Sequence, residues 1–141
     1  MQYNTDQVKA GALGGVIAGV VFGAMMGMMG MLPMVAKLAG GSSAPLGFAV
    51  HLVFSAIIGA GFGAVFGHGA RERGKGVTLG LVYGLIWWVL GPLVIMPVWL
   101  GMGVQLSAVG MQMALPSLWG HLVYGLILGF MYGMLVKKPA A

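Results

Sequence analysis

The stretch Ala10–Ala36, AGALGGVIAGVVFGAMMGMMGMLPMVA, contains no Asp, Glu, Lys or Arg. A helix of about 20 mostly apolar residues crosses the hydrocarbon core of a bilayer, so this stretch is long enough to span a membrane. It is longer than the apolar part of a cleaved signal peptide, and the segment before it carries a single lysine, Lys9. The sequence therefore predicts a transmembrane helix that is retained in the mature protein.

Three further apolar runs have a similar length, at about 46–67, 77–99 and 117–136. Of the 141 residues, 60% are hydrophobic and 6% are charged, whereas a soluble domain carries about a quarter charged residues. Lipid is therefore the expected solvent, and a helix satisfies its own backbone hydrogen bonds there. We predict an all-α bundle of four transmembrane helices that forms a single domain over residues 1–141, and neither a soluble enzyme nor a nucleic-acid binder.

The basic residues predict the orientation of the bundle. Lys37 alone falls on one side of the membrane, and the other six of the seven fall on the opposite side, namely Lys9, Arg71, Arg73, Lys75, Lys137 and Lys138. By the positive-inside rule, both termini and the loop at 68–76 are cytoplasmic in a bacterial or archaeal inner membrane. Trp99 and Trp119 then lie near the outer interface, where indole rings are enriched. These charges form no continuous patch, so no nucleic-acid partner is predicted.

Two parts of the chain repeat at constant offsets, which predicts an internal duplication. The repeated pairs in spans two and four include His51 and His121, Phe54 and Tyr124, Gly59 and Gly129, and Gly63 and Gly133. Those in spans one and three include Gly15 and Gly76, Gly19 and Gly80, Phe22 and Tyr83, and Gly23 and Gly84. We therefore predict two tandem helical hairpins, at about 10–67 and 77–136, related by a pseudo-two-fold axis along the membrane normal.

Glycines recur at every fourth position in each predicted span. The ladders include Gly15, Gly19, Gly23, Gly59, Gly63, Gly80, Gly84, Gly125, Gly129 and Gly133. In lipid, helices associate through close backbone approach, and Gly-xxx-Gly provides the groove for it. The pattern predicts tight helix packing, within the bundle or between protomers. A second interpretation is that the glycines leave room for a flat cofactor or a narrow path.

His51 and His121 occupy equivalent repeat positions, near the outer ends of spans two and four. Ionisable groups inside a span are functional-site candidates. Two imidazoles at equal depth are able to ligate one haem b from both faces, or to hold a soft metal ion with nearby methionines. In the structural alternative, each imidazole donates to a neighbouring carbonyl or lies at the headgroup level.

Methionines crowd the end of the first span, and Met25, Met28 and Met29 have spacings that place thioethers near one another. Thioethers suit Cu(I), which makes these three a candidate metal site. Methionine is also adaptable apolar filler, and the third span carries no such cluster.

The chain lacks several residue types that catalysis needs. It has no cysteine, and only Asp6 and Glu72 are acidic, both outside the predicted spans. This excludes thiolate chemistry and paired carboxylates, so catalysis by side chains is not predicted. Pro92 and Pro97 interrupt the third span, which predicts either a kink that opens the outer mouth of the bundle or a helix that ends at Met96.

The runs 83–92, YGLIWWVLGP, and 120–125, GHLVYG, resemble small four-span bacterial inner-membrane proteins of the YagU type. That family has no assigned activity, so the resemblance implies a fold and no chemistry. The leading functional hypothesis is an accessory or scaffold subunit that works through helix packing, with lipid and other membrane subunits or further copies of itself as partners. The alternatives are a haem b electron carrier and a small transporter or channel.

Overall fold

A computed structural model describes residues 4–136 and is helical along most of its length. Its α-helices are α1 Thr5–Met28, α2 Leu32–Ala36, α3 Ala44–Phe66, α4 Arg73–Leu90, α5 Met96–Trp99 and α6 Ala108–Leu135. Short 3-10 turns occupy Lys37–Ala39 and Gly69–Arg71, and a π-helical turn at Gly91–Ile95 joins α4 to α5. Four helical segments are long and apolar enough to cross a membrane, when α4 to α5 is taken as one. The prediction of an all-α bundle with four such helices is confirmed.

Two helix boundaries differ from the sequence prediction. The first uncharged stretch is not one helix, because α1 ends at Met28 and the chain turns at Gly30, whose φ of +69° favours glycine. The fourth helix begins at Ala108 rather than near Ser117. Ser107 caps it by accepting a hydrogen bond from the Gly110 amide. Pro116 is accommodated inside this helix.

Helix α1 packs against both α3 and α6, and α6 in turn packs against α4. Gly11, Gly15 and Gly19 face α3, where an added Cβ on any of them would collide with α3 atoms. Gly14 faces the other way, against Leu128 of α6. The two small-residue faces allow both neighbours to approach closely.

The helix contacts depart from the predicted two-fold relation between the hairpins on one side. Under the repeat, the contact of α1 with α6 corresponds to a contact of α4 with α3, but α3 and α4 approach each other far less closely. The small residues Ala10, Gly14 and Ala18 of α1 correspond to Arg71, Lys75 and Leu79. Since bulky side chains prevent close backbone approach, this replacement explains the more open side.

The described basic residues, apart from Lys37, lie at one end of the bundle. The Gln7 amide is 2.9 Å from Nδ1 of His68, which brings the start of α1 to the end of α3. The Tyr132 hydroxyl donates to the Gly67 carbonyl, which brings the end of α6 to the same place. Lys137 and Lys138 lie outside the described residues. The side of a membrane that this end faces stays a prediction.

The two prolines change the path of the third span without ending it. The chain passes through the π-helical turn into α5, so it continues beyond Met96 to Trp99. Pro97 has no amide hydrogen to give to the Leu93 carbonyl four residues before it. The backbone amide of Gln105 donates to that carbonyl instead, at 2.7 Å.

Candidate functional site

The two predicted histidines meet at one aromatic ring. His51 of α3 and His121 of α6 both pack edge-on against Phe22 of α1, with ring centroids 5.0 and 4.8 Å from that of Phe22. Phe22 is held in place by Gly120, because a Cβ there would overlap the phenyl ring. The structure therefore brings the two histidines to one level of the bundle and places a phenylalanine against both.

Each imidazole is bound to a main-chain carbonyl. Nε2 of His51 is 3.0 Å from the Gly19 carbonyl oxygen of α1. A carbonyl only accepts, so Nε2 carries the proton and donates it. The hydroxyl of Ser55 is 3.4 Å from the same nitrogen, which in this tautomer has no free lone pair to take the Ser55 proton. A Ser–His nucleophile pair is therefore not formed.

His121 uses a carbonyl of its own helix. Its Nδ1 is 2.8 Å from the Ser117 carbonyl oxygen one turn earlier, so Nδ1 carries the proton and Nε2 keeps its lone pair. Gly91, at the start of the π-helical turn, lies beside this Nε2. The arrangement of both histidines corresponds to the structural alternative, in which each imidazole satisfies a carbonyl.

This geometry does not fit a haem held between the two histidines. Axial ligation requires each imidazole to direct an unprotonated nitrogen at one iron. Nε2 of His51 is instead occupied by the Gly19 carbonyl. The Phe22 ring packs against both imidazoles, in the region that a porphyrin would need. We therefore derive no electron-transfer chemistry from these residues.

Three tyrosines of the second hairpin donate to carbonyls of the first. Tyr124 donates to Ser55 at 2.6 Å, Tyr83 to Ile58 at 2.8 Å and Tyr132 to Gly67 at 3.1 Å. The repeat-equivalent positions in the first hairpin are all phenylalanines, namely Phe54, Phe22 and Phe62. Sequence analysis did not assign these hydroxyls a role. The signal that identifies them is the systematic Phe-to-Tyr difference between equivalent positions.

A second polar contact near the other end of α6 was also missed. The carbonyl of Ala114 accepts from the Trp88 indole nitrogen at 2.9 Å and from the Ser117 hydroxyl at 2.8 Å. This joins α4 to α6 close to the π-helical turn. A buried indole N–H needs a partner, so Trp88 in an apolar span was a signal for such a contact.

The predicted glycines face each other inside each hairpin. In the first hairpin, Gly15, Gly19 and Gly23 of α1 pack against α3, and Gly59 and Gly63 of α3 pack against α1. In the second hairpin, Gly80 and Gly84 of α4 pack against α6, and Gly125 and Gly129 of α6 pack against α4. Gly133 lies against Arg73. The pairing follows the repeat, because Gly19 meets Ser55 where Gly80 meets Gly125. The space beside these glycines is filled mostly by neighbouring backbone, which leaves no slot for a flat cofactor along these contacts.

The three methionines of the candidate Cu(I) site lie on the outside of the bundle. Met28 is 87% exposed and Met29 is 42% exposed, and Met25 is half-buried. Met26, which was not in the candidate set, is the member of the cluster that enters the core. Thioethers on an outer surface are typical of apolar filler. Within residues 4–136, no group of three or more His, Asp or Glu side chains is placed to hold a metal ion.

Comparisons of this chain with protein-family models, with curated proteins and with solved structures give no match. The resemblance to YagU-type proteins therefore stays a prediction.

Proposed function

We propose that this chain is a small multi-pass membrane protein of the bacterial or archaeal inner membrane, with cytoplasmic termini, that serves as a scaffold or accessory subunit and does not carry out side-chain catalysis. The observation that carries the proposal is how the buried polar groups are used. In the described part of the chain, seven interior side chains direct a donor at a main-chain carbonyl, which is a structural use: His51, Tyr83, Trp88, Ser117, His121, Tyr124 and Tyr132. Many large apolar side chains are exposed on the outer surface of the helices.

The two hairpins are proposed to be copies of one ancestral unit that have since diverged. Their glycine contacts follow the same pairing in α1 with α3 and in α4 with α6. The differences between the copies lie where the hairpins meet, in the tyrosines of the second hairpin and in the small residues of α1. These differences favour one arrangement of the pair over a symmetric one, because three hydroxyl donors on one copy face carbonyls on the other.

The glycine faces of the ladders are covered by the other helix of the same hairpin. A partner would therefore contact a different surface. The available surface consists of large apolar side chains, such as Val53 (60% exposed), Ile57 (60%) and Val65 (66%) on α3. Contact with another membrane subunit through such residues depends on shape and dispersion, since lipid tails are equally apolar. This modifies the initial hypothesis, in which the Gly-xxx-Gly ridges themselves bind the partner.

The test is the assembly state of the tagged protein after it is extracted in native lipid particles at its natural expression level. Mass measurement of the particles is expected to give a complex of fixed stoichiometry, which is lost when Ile57 is changed to Asn and kept when Leu13, an exposed residue of α1 (51%), is changed to Asn. A monomer without a stoichiometric partner contradicts the proposal.

A visible spectrum of the same sample tests the haem alternative. The geometry at Phe22 predicts no Soret band, in the air-oxidised or the dithionite-reduced protein, after expression with ample haem. A Soret band that disappears in both His51→Ala and His121→Ala would replace the scaffold proposal with an electron-transfer function. Solute flux in liposomes would instead favour the transporter alternative.

A further inference from the structure

The connection between α5 and α6 is apolar although it lies outside the helices on either side. We define the outer segment as residues 99–115, which covers this connection and the first turns of α6. The sequence contains no Asp, Glu, Lys or Arg between Lys75 and Lys137. Val104 is 53% exposed and Leu106 is 53% exposed, and Trp99 at the start of the segment is 58% exposed. A loop in water normally carries polar or charged residues at such positions.

The connection pairs several of its backbone groups internally. The amides of Leu100, Gly101 and Met102 donate to carbonyls of the preceding helical turns. The side-chain amide of Gln105 lies 3.1 Å from the Met102 carbonyl oxygen and 3.3 Å from that of Gly103. Internal pairing of this kind is what a low-dielectric environment demands, because unpaired amides are costly where water is scarce.

The first two turns of α6 are apolar on opposite sides. Val109 (66% exposed) and Met113 (77%) lie on one side, and Met111 (42%) and Leu115 (50%) lie about 120–160° away around the helix. Gly110 and Ala114 on the remaining flank are buried. A single protein partner would cover one side, whereas lipid surrounds a helix. This distribution therefore favours lipid as the occupant.

The length of α6 places these turns at the membrane boundary. Its 28 residues extend about 42 Å, against about 30 Å for the hydrocarbon core. The end of α6 near Tyr132 lies with the basic residues, so the excess of about 12 Å falls at the Ala108 end. That excess matches the depth of the headgroup region, and Trp99 and Trp119 suit the same level.

We propose that the outer segment lies in the headgroup–acyl boundary of the leaflet remote from the basic end, where it binds the lipid surface as an interfacial cap. The inference rests on the proposed membrane location and adds a lipid-binding surface that the four spans alone do not imply. The hydrogen bonds from the Gln105 side chain to backbone carbonyls keep the outer segment folded at that depth. Gln112 is exposed on the side of α6 that carries no large apolar residue.

The experiment uses the absence of cysteine from the natural chain. Single cysteines are introduced at Val104 and Met113 in the full-length protein and labelled with the NBD fluorophore. The protein is reconstituted in phosphatidylcholine–phosphatidylglycerol vesicles. Quenching is measured with iodide, present on both sides of the vesicles, and with lipids that carry a doxyl group near the headgroup. Ser42→Cys, in the exposed connection of the first hairpin, is the water control, and Leu13→Cys, at an exposed position of α1, is the lipid control.

Labels at Val104 and Met113 are expected to be quenched by doxyl lipid to within about twofold of the Leu13 label, and several-fold less by iodide than the Ser42 label. Iodide quenching equal to that at Ser42 overturns the inference, since the segment would then project into water. Protection from both quenchers also overturns it, because the segment would then be covered by protein. If the Leu13 label is itself quenched by iodide, the membrane location fails as well, which separates that failure from failure of the cap alone.

Discussion

Two adjacent glycines of α1 are expected to respond in opposite ways to the same substitution. A Cβ on Gly15 would lie 2.9 Å from the Gly59 Cα and 3.0 Å from the Tyr124 hydroxyl, and would collide with the Ser55 carbonyl. A Cβ on Gly14 would lie 3.5 Å from its nearest neighbours, on Leu128 and Met131, which is ordinary van der Waals contact. Gly14→Ala is therefore the matched control for Gly15→Ala.

The magnitude follows from these distances. Carbon atoms pack at about 3.5–4.0 Å, so Gly15→Ala requires α1 and α3 to separate by roughly 0.6–1 Å along a contact made of backbone. Overpacking of this kind costs about 1–3 kcal/mol. Alanine returns about 1 kcal/mol through its helix propensity, which leaves a net loss of up to about 2 kcal/mol for Gly15→Ala. Gly14→Ala keeps the propensity gain and is expected to be neutral or stabilising by up to about 1 kcal/mol.

The assay is reversible unfolding in mixed micelles of increasing SDS content, followed by the fluorescence of the four native tryptophans. Gly15→Ala is expected to shift the midpoint to lower SDS, and Gly14→Ala is expected to leave it unchanged or raise it. Equal midpoints for the two variants would refute the assignment of Gly15 to the close contact between α1 and α3. A lower midpoint for Gly14→Ala than for Gly15→Ala would place the tighter contact on the α6 side.

The same unfolding assay tests the hydrogen bonds donated by the tyrosines. Loss of one interhelical hydrogen bond in a membrane costs about 0.6 kcal/mol on average and up to about 1.7 kcal/mol. Tyr124→Phe, with the shorter bond, is expected to cost more than Tyr132→Phe, and the reverse order contradicts the geometry. Pro97→Ala restores an amide that competes for the Leu93 carbonyl, so hydrogen exchange at Gln105 should accelerate. Pro116→Ala is its control, and equal acceleration there would show that the Leu93 contact is not responsible.

The glycine ladders illustrate how far the sequence leads towards the packing. Glycine at every fourth position places all members of a ladder on one face of a helix, so close approach along that face was predictable. The pattern did not identify which helix packs against this face, because a glycine such as Gly15 allows close approach of any helix with small residues at the contact. Only the folded bundle assigns Gly15 to α3 and Gly14 to α6.

The histidines show how much of the candidate site could be predicted from the sequence. Their equivalent positions in the repeat predicted one level in the bundle, and both contact Phe22 there. The repeat gave no information on the residue from a third helix that packs against them. Phe22 was recognised as the counterpart of Tyr83, but its contact with both imidazoles depends on the position of α1 between α3 and α6.

Composition and hydropathy by themselves predicted the fold class, four long apolar helices, because a helix satisfies the backbone hydrogen bonds of each of the four apolar runs within that run. These are local properties that each segment carries alone. The tertiary structure decided which helices touch, which tautomer each imidazole takes and which carbonyl each tyrosine binds. Those features depend on side-chain volumes, such as the small Ala18 of α1 where its repeat counterpart in α4 is the larger Leu79. Such volumes have an effect only when the segments pack together.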